Sequence, residues 1–194
     1  MNIHQLMLRA GAAAGFIATV IFASPNVDAK HTSGLKVGDP APDFNLPDQN
    51  GKLRSLKEFA DKKSVVLYFY PKDDMGVCKQ EACLFRDDYQ SFVSAGAEVI
   101  GISNDSVKSH KNFVQHRNLP FVLLSDDHGK VRKLYGVPKA VGGLMPGRVT
   151  FVIDPDGKIK LSFNSFLNAH EHVAEALGEL KNIDRSQSAA PSQN

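Results

Sequence analysis

The chain of 194 residues contains no tryptophan and only two cysteines, Cys78 and Cys83. Two cysteines are too few to hold a domain of this size together by disulfides, so a hydrophobic core has to stabilise the fold. A hydrophobic fraction of 42% is enough for one globular domain. The sequence also has no internal repeat and no C-x-x-C motif, the motif that sets the redox potential of many thiol–disulfide oxidoreductases.

The pattern of basic residues and the histidine spacing argue against two further classes of site. The net charge of +2 argues neither for nor against nucleic-acid binding. No basic stretch alternates with aromatic residues, however, so we do not expect such binding. The histidines do not have the spacing of metal ligands, so we predict no metal site and expect these side chains at the surface: His110, His116, His128, His170 and His172. The adjacent pair Asp73-Asp74 is interpreted as two solvated loop acids.

The N-terminal apolar run is shorter than the roughly 20 residues that span a membrane. Arg9, the alanine-rich segment 10–23 and the small-x-small sequence 27–29 predict a secretory signal peptide over residues 1–29. An uncleaved N-terminal anchor is the alternative. The expected location is therefore extracytoplasmic, such as a bacterial periplasm, where disulfides persist.

The remaining chain predicts an α/β domain. After a linker at 30–34, apolar strand patterns alternate with helical patterns over residues 35–183, which favours a three-layer fold with helices on both sides of a sheet. We predict strands at 64–70, 98–103, 121–124, 148–154 and 158–163, and a closing helix at 168–181. We also predict a helix that begins with Ser106 as its N-cap and runs to about Arg117, and a flexible loop at 139–147. Residues 184–194 are predicted to be a disordered tail because they are rich in Ser, Ala and Gln.

Cys78 lies where a loop enters a helix. The strand that ends at Tyr70 is followed by Pro71 and a polar loop, and helical periodicity begins at Lys79 and is expected to run to about Ser94. Free N–H groups at a helix start favour the thiolate, which is the nucleophilic form of cysteine. Lowering a pKa by two units requires about 2.7 kcal/mol, whereas a helix terminus typically supplies about 0.3–1 kcal/mol. We therefore expect a nearby cation.

The spacing of the two cysteines suggests a redox pair that switches. Five residues along an ideal helix, two Cα atoms lie about 8.6 Å apart, but a disulfide requires about 4.4–6.8 Å. Cys78 and Cys83 therefore either never pair, as two separate buried thiols, or pair when the first turn unwinds.

Two charged residues are candidates for a site near Cys78. Arg148 opens an apolar strand, where a charge is out of pattern; it is either an exposed strand-edge arginine or the expected cation. Glu81 is either an acid favoured by the helix dipole near the helix start or a residue that supports the site.

The segment YPKDDMGVCKQEACLFRD (70–87) resembles the active site of peroxiredoxins of the bacterioferritin comigratory protein, or peroxiredoxin Q, group. The family frame is YPKDxTPGCTxEACxFRD, and the similarity extends over about residues 34–180, including PGRVTFVID at 146–154. The resemblance implies a thioredoxin-like fold, with a central mixed sheet flanked by helices. It also implies a thioredoxin-dependent peroxidase that has no cofactor and is a monomer.

The same resemblance assigns roles to individual residues. Cys78 corresponds to the peroxidatic cysteine, which becomes a sulfenic acid, and Cys83 to the resolving cysteine that forms the Cys78–Cys83 disulfide. Arg148 corresponds to the arginine that stabilises the thiolate and binds the peroxide. Glu81 is expected to support the residues of this site rather than to contact the peroxide itself. The substrate-binding positions are Pro71, Met75, Val77 and Arg148.

One position departs from the family frame. The motif threonine, whose hydroxyl contacts the sulfur and the peroxide in the family, is Met75 here. A thioether is a weak acceptor and donates no hydrogen bond. Two alternatives to a peroxidase remain. One is an extracytoplasmic thiol–disulfide oxidoreductase, which the compartment suits but the missing C-x-x-C motif argues against. The other, motivated by Met75, is a weakened peroxide sensor or binding protein.

Overall fold

The computed structural model describes residues 34–59 and 62–188. The predicted signal peptide, residues 30–33 of the linker and residues 189–194 of the predicted tail lie outside the described residues.

A five-stranded mixed sheet forms the centre of the domain. Its strands are β3 (Ser64–Phe69), β4 (Ala97–Ser103), β5 (Val122–Ser125), β8 (Val149–Ile153) and β9 (Ile159–Asn164). They lie side by side in the order β5-β4-β3-β8-β9. β3, β4 and β5 run parallel, whereas β8 is antiparallel to both β3 and β9. Two small antiparallel pairs lie outside this sheet: β1 (Asn45–Pro47) with β2 (Leu53–Ser55), and β6 (Lys139–Ala140) with β7 (Met145–Pro146).

β3 is buried along its whole length because both faces of the sheet are covered. Its alternate side chains point to opposite faces, as the pleat requires. Val66 and Tyr68 belong to one hydrophobic cluster, and Val65, Leu67 and Phe69 belong to the other. This central position explains why the strand is a continuous apolar run rather than an alternating pattern.

Helices cover the sheet on both sides. They are α1 (Gly76–Asp87), α2 (Tyr89–Ser94), α3 (Val107–Arg117), α4 (Lys130–Leu134) and α5 (Ala169–Ser188), with a short 3-10 helix at Leu56–Glu58. α1, α2, α3 and α5 contribute to the first cluster, whereas α4 and the 3-10 helix contribute to the second. α3 begins as predicted, because the Ser106 hydroxyl accepts a hydrogen bond from the Ser109 N–H at 3.3 Å.

Three details differ from the sequence predictions. The helix expected to continue to Ser94 breaks at Asp88, whose φ of −94° and ψ of 6° redirect α2 so that Phe92 packs beside Phe85 in the core. The segment 139–147, expected as a flexible loop, carries the β6–β7 pair. α5 continues through residues 184–188, which were predicted as tail, and Ile183 near that end is buried in the first cluster.

These layers confirm the predicted α/β class, with a central mixed sheet flanked by helices. Over residues 34–59 and 62–188, no helix has the combination of length and apolar character that a membrane crossing requires. The sheet register also positions the site, because Phe69 pairs with Val149. The end of β3 and the start of β8 therefore meet at one edge of the sheet.

Candidate active site

Cys78 lies in the first turn of α1 and is only 1% exposed. Pro71 lies two residues after the end of β3 and is buried, and the chain then turns through an exposed Asp74 with a φ of 53°. Met75 occupies the N-cap position in an extended conformation, and its side chain makes no capping hydrogen bond to the described residues. The first helical hydrogen bond runs from the Lys79 N–H to the Met75 carbonyl at 2.8 Å. The sulfur is therefore held close to free N–H groups.

Arg148 is fully buried and contacts this sulfur. Because Phe69 pairs with Val149, Arg148 precedes β8 beside the loop that leads to Cys78. Its Nη2 donates to Cys78 Sγ at 3.1 Å, and its Nε donates to the Phe166 carbonyl at 3.2 Å. Its Nη1 donates to a Glu81 carboxylate oxygen in a buried ion pair. Arg148 is thus not an exposed strand-edge arginine.

The pKa of the Cys78 thiol lies above its ordinary value, which differs from the lowering that the sequence predicts. Burial raises this pKa by disfavouring the charged form. Arg148 and a backbone hydrogen bond from Lys72 lower it, and the negative charge of Glu81 raises it again. The cation expected from the sequence is therefore present, but it is shared with a second acidic group.

Glu81 is 0% exposed and lies in the second turn of α1, so it is not a solvated acid at the helix start. Burial raises its pKa to about 8, against the opposing effect of Arg148. Its Oε1 has no hydrogen-bond partner among the described residues. The nearest ring nitrogen, His172 Nδ1, lies 3.8 Å from that oxygen.

His172 was predicted at the surface, but it is 0% exposed. Its Nε2 lies 2.7 Å from the Ser165 carbonyl, which only accepts, so Nε2 carries a proton. Its Nδ1 lies 2.8 Å from the Thr150 hydroxyl. Burial lowers the pKa of His172 to about 4, so the ring is neutral at pH 7 and accepts the Thr150 hydrogen bond at Nδ1.

The loop before Cys78 is fastened by a second buried network that corrects two further predictions. Asp73 and His110 are both buried rather than solvated, and Asp73 Oδ2 lies 3.0 Å from His110 Nδ1. The hydroxyls of Tyr70 and Ser109 each donate to the Asp73 carboxylate at 2.7 Å. The Asp73 N–H donates to Asp105 at 2.8 Å. These contacts tie the loop to α3 and to the loop after β4.

Arg132 is a site-supporting residue that sequence reasoning missed. It is 7% exposed, donates to the Tyr70 carbonyl at 2.6 Å and donates to the Gly147 carbonyl at 2.8 Å. Tyr70 immediately precedes the Cys78 loop, and Gly147 immediately precedes Arg148. One guanidinium therefore fixes the relative positions of both chain segments. Burial lowers the pKa of Arg132 to about 10, so it remains a cation. No local pattern around 130–134 marked it.

The other predicted residues lie around the same helix start. Met75 and Val77 are half-buried, and Met75 packs against the first hydrophobic cluster. Cys83 is half-buried, and both cysteines are free thiols on an intact α1. In the described ranges, no group of three or more His, Cys, Asp or Glu side chains is arranged to hold a metal ion.

The model of the AhpC/TSA family matches residues 37–162 of the chain. The chain belongs to the AhpC/TSA family. Among curated members, peroxiredoxin Q from the chloroplast of Sedum lineare is 44% identical over 165 residues, covering 84% of this chain and 88% of its own length. Peroxiredoxin Q from the chloroplast of Populus jackii is 46% identical over 156 residues, covering 79% and 73%.

Solved AhpC/TSA structures agree in fold with this one. Peroxidoxin BcpB from Mycobacterium tuberculosis has a TM-score of 0.72 and 38% identity, covering 77% of this chain and 98% of its own. The bacterioferritin comigratory protein of Xanthomonas campestris, whose structure concerns alkyl peroxide reduction, has a TM-score of 0.66 and 30% identity, covering 72% and 91%. The chain is therefore a peroxiredoxin of the peroxiredoxin Q group, a thiol-dependent peroxidase with a thioredoxin-like fold.

Proposed function

We propose that Cys78 is the peroxidatic cysteine of this peroxiredoxin. Its thiolate attacks one peroxide oxygen, so that an S–O bond forms and the O–O bond breaks. The sulfur is oxidised to a sulfenic acid, and the leaving oxygen takes up one proton to give water or an alcohol. The observation that carries this proposal is the 3.1 Å contact between Arg148 Nη2 and the sulfur at the start of α1.

Arg148 supports both the nucleophile and the reaction. It favours the thiolate, and its fixed N–H groups are able to stabilise the charge that develops on the leaving oxygen. Burial of the site strengthens these interactions because the local dielectric is low. We propose that Pro71, Met75 and Val77 border the bound peroxide, since they line the loop and first turn that hold Cys78.

We propose that Cys83 is the resolving cysteine. Its sulfur condenses with the Cys78 sulfenic acid, which forms the Cys78–Cys83 disulfide and releases water. The ideal separation of about 8.6 Å requires the first turn of α1 to unwind. The absence of a capping bond from Met75 to any described residue makes this turn easier to open. A thioredoxin-like reductant then restores both thiols by exchange.

We propose that the protein is exported and works as a monomer in an extracytoplasmic compartment such as the periplasm. The predicted signal peptide over residues 1–29 supports the export. The chloroplastic relatives show that this group also operates in other compartments. The reductant in such a compartment must itself receive electrons, because the surroundings are oxidising.

Peroxide treatment followed by peptide mapping tests the proposed roles. The reduced wild-type protein is expected to give an intramolecular Cys78–Cys83 disulfide after one equivalent of hydrogen peroxide. Cys83→Ser is expected to stop at a sulfenic acid that a dimedone reagent captures on Cys78. Cys78→Ser is expected to consume no peroxide. Peroxide consumption by Cys78→Ser at the wild-type rate contradicts the assignment.

Met75 favours one second candidate, a weakened peroxide sensor. A hydroxyl donor is missing at this position, so the same thiol chemistry would run slowly and report peroxide rather than remove it. A slow wild-type reaction that Met75→Thr accelerates would support the sensor.

A further inference from the structure

Arg148 links two acidic side chains in a site closed to solvent. It donates from Nη2 to the Cys78 sulfur and from Nη1 to the Glu81 carboxylate. Cys78 is 1% exposed, whereas Arg148 and Glu81 are each 0% exposed. The buried cluster therefore contains one permanent cation and two groups that are able to become anions.

Charge counting restricts the states of this cluster. If Cys78 and Glu81 were both ionised, the cluster would carry one uncompensated negative charge, and if both were protonated it would carry one uncompensated positive charge. Burial makes either state costly. With one of them ionised, the net charge is zero. Two such neutral states exist, thiol with carboxylate and thiolate with carboxylic acid, and they differ only in where one proton resides.

The surroundings of Glu81 suit the carboxylic acid. Its Oε1 has no partner in the described part of the chain, although an ionised carboxylate normally accepts several hydrogen bonds. The imidazole that faces this oxygen from α5, His172, is neutral and adds no positive charge. The phenol of Tyr68, on β3, is also neutral because burial raises its pKa far above the ordinary value.

The hydrogen-bond partners of Cys78 favour its thiolate, whereas burial opposes ionisation and keeps the pKa of the thiol above its ordinary value. Its sulfur accepts from Arg148, receives a backbone hydrogen bond from Lys72 and lies in the first turn of a helix. The cation of Arg132, on α4, also interacts favourably with a charge on this sulfur. The balance of partners therefore differs between the two acidic groups. The sulfur has two hydrogen-bond donors and a second guanidinium nearby, whereas Glu81 has Arg148 on one oxygen and no partner on the other among the described residues.

We propose that Glu81 holds the proton that Cys78 loses, so that the reactive form of the site is thiolate, Arg148 cation and Glu81 carboxylic acid. This role rests on the proposed peroxidase function. In the activating step, the proton moves from sulfur to a carboxylate oxygen, and no electrons are transferred. The high pKa of Glu81 is consistent with this state.

The proton balance of the peroxide step then closes within the site. The thiolate electron pair forms the S–O bond, and the peroxide O–O bond breaks. The leaving oxygen requires one proton, and Glu81 releases one because the sulfenic acid is neutral and no longer competes for Arg148. The cluster keeps a net charge of zero before and after the reaction.

Infrared difference spectroscopy of the full reduced chain tests this role at neutral pH. The wild-type protein is expected to show the carbonyl stretch of one buried protonated carboxylic acid, which shifts in D2O. The band is expected to disappear in Glu81→Gln. It is also expected to disappear in Cys78→Ser, because Glu81 then becomes the sole counter-ion of Arg148 within the cluster. Glu171→Gln, at an exposed glutamate of α5, is the matched control and should retain the band.

Oxidation provides a second reading on the same sample. One equivalent of hydrogen peroxide is expected to remove the band as Cys78 loses its charge. The proposal is overturned if the reduced wild-type protein lacks the band, or if the band survives in Cys78→Ser. Because Cys78→Ser is a conservative change, it keeps the test valid even if Glu81→Gln does not fold. If the band is absent but the Cys78–Cys83 disulfide forms, the proton role fails and the peroxidase stands. If the band is present but peroxide is not reduced, the peroxidase proposal fails.

Discussion

Replacing Arg148 by methionine removes a buried guanidinium and leaves a side chain of similar length in its place. The change removes the donors to the Cys78 sulfur, the Glu81 carboxylate and the Phe166 carbonyl. Breaking a buried ion pair by removing one partner typically costs about 3–5 kcal/mol. That is a large share of a total stability of about 5–15 kcal/mol.

The cost is expected to depend on pH because Glu81 is able to take up a proton. Burial without Arg148 raises the folded-state pKa of Glu81 further, so the folded protein binds a proton that the unfolded protein has lost. Stability therefore falls as pH rises, by up to about 1.4 kcal/mol per pH unit. The pKa of Glu81 in the wild-type protein is also raised, to about 8. The free energy lost by Arg148→Met should therefore be nearly constant below that pH and should increase above it, where only the wild-type Glu81 ionises.

Urea unfolding of the reduced protein at several pH values measures this cost. The signal should be far-UV circular dichroism, because the chain contains no tryptophan. The double variant with Glu81→Gln should recover about 2 kcal/mol relative to the sum of the single variants. Arg117→Met is the matched control: its pair with Asp74 is at the surface, at 3.1 Å, and exposed pairs contribute about 0–1 kcal/mol. A loss below about 1 kcal/mol for Arg148→Met at every pH would refute the reasoning.

Two other substitutions test the loop before Cys78. Met75→Thr supplies a hydroxyl at the N-cap and near the sulfur. We expect the unfolding free energy to rise by about 1 kcal/mol and the rate constant for reaction with peroxide to rise about tenfold. An unchanged stability and an unchanged rate constant would contradict these expectations. Asp73→Asn weakens the network with His110 and should cost about 1.5–3 kcal/mol at neutral pH. Burial raises the pKa of Asp73, but hydrogen bonds from His110, Ser109 and Tyr70 outweigh it, so the pKa lies below the ordinary value. Its stabilisation is therefore present above the unfolded pKa and is lost as pH falls through the folded pKa, and the Asn variant should lose this part of the acid sensitivity in urea unfolding.

Local sequence patterns predicted those strands and helices whose defining residues lie close together in the chain. The apolar run before Pro71 fixed β3, and Ser106 marked the start of α3 through its capping bond. The break at Asp88 was not predictable in the same way, because it follows from the packing of Phe92 against Phe85.

The main errors of the sequence predictions concern polar residues that were expected at the surface and are buried. These errors share a physical cause. Asp73 and His110 are 37 residues apart, and each looks like a surface residue until the other is beside it. His172 is buried because Thr150 and Ser165 satisfy its two ring nitrogens. Arg132 likewise depends on carbonyls that lie far away in sequence. Burial of a polar group follows from distant partners, which periodicity does not record.

Arg148 was the exception, because a charge at the start of an apolar strand is a visible break in pattern. Its contact with Glu81 was still beyond the sequence, and that contact changes the chemistry. The expectation of a lowered Cys78 pKa counted the helix start and one cation, but it omitted burial and the second acid that shares the cation.

Stopped-flow oxidation of the reduced full chain by hydrogen peroxide tests the central claim most directly. Cys78 is expected to react in a second-order step that is much faster than the reaction of free cysteine and is absent in Cys78→Ser. The same reaction should end in the Cys78–Cys83 disulfide. A wild-type rate no higher than that of free cysteine, with no disulfide between these residues, would contradict the account.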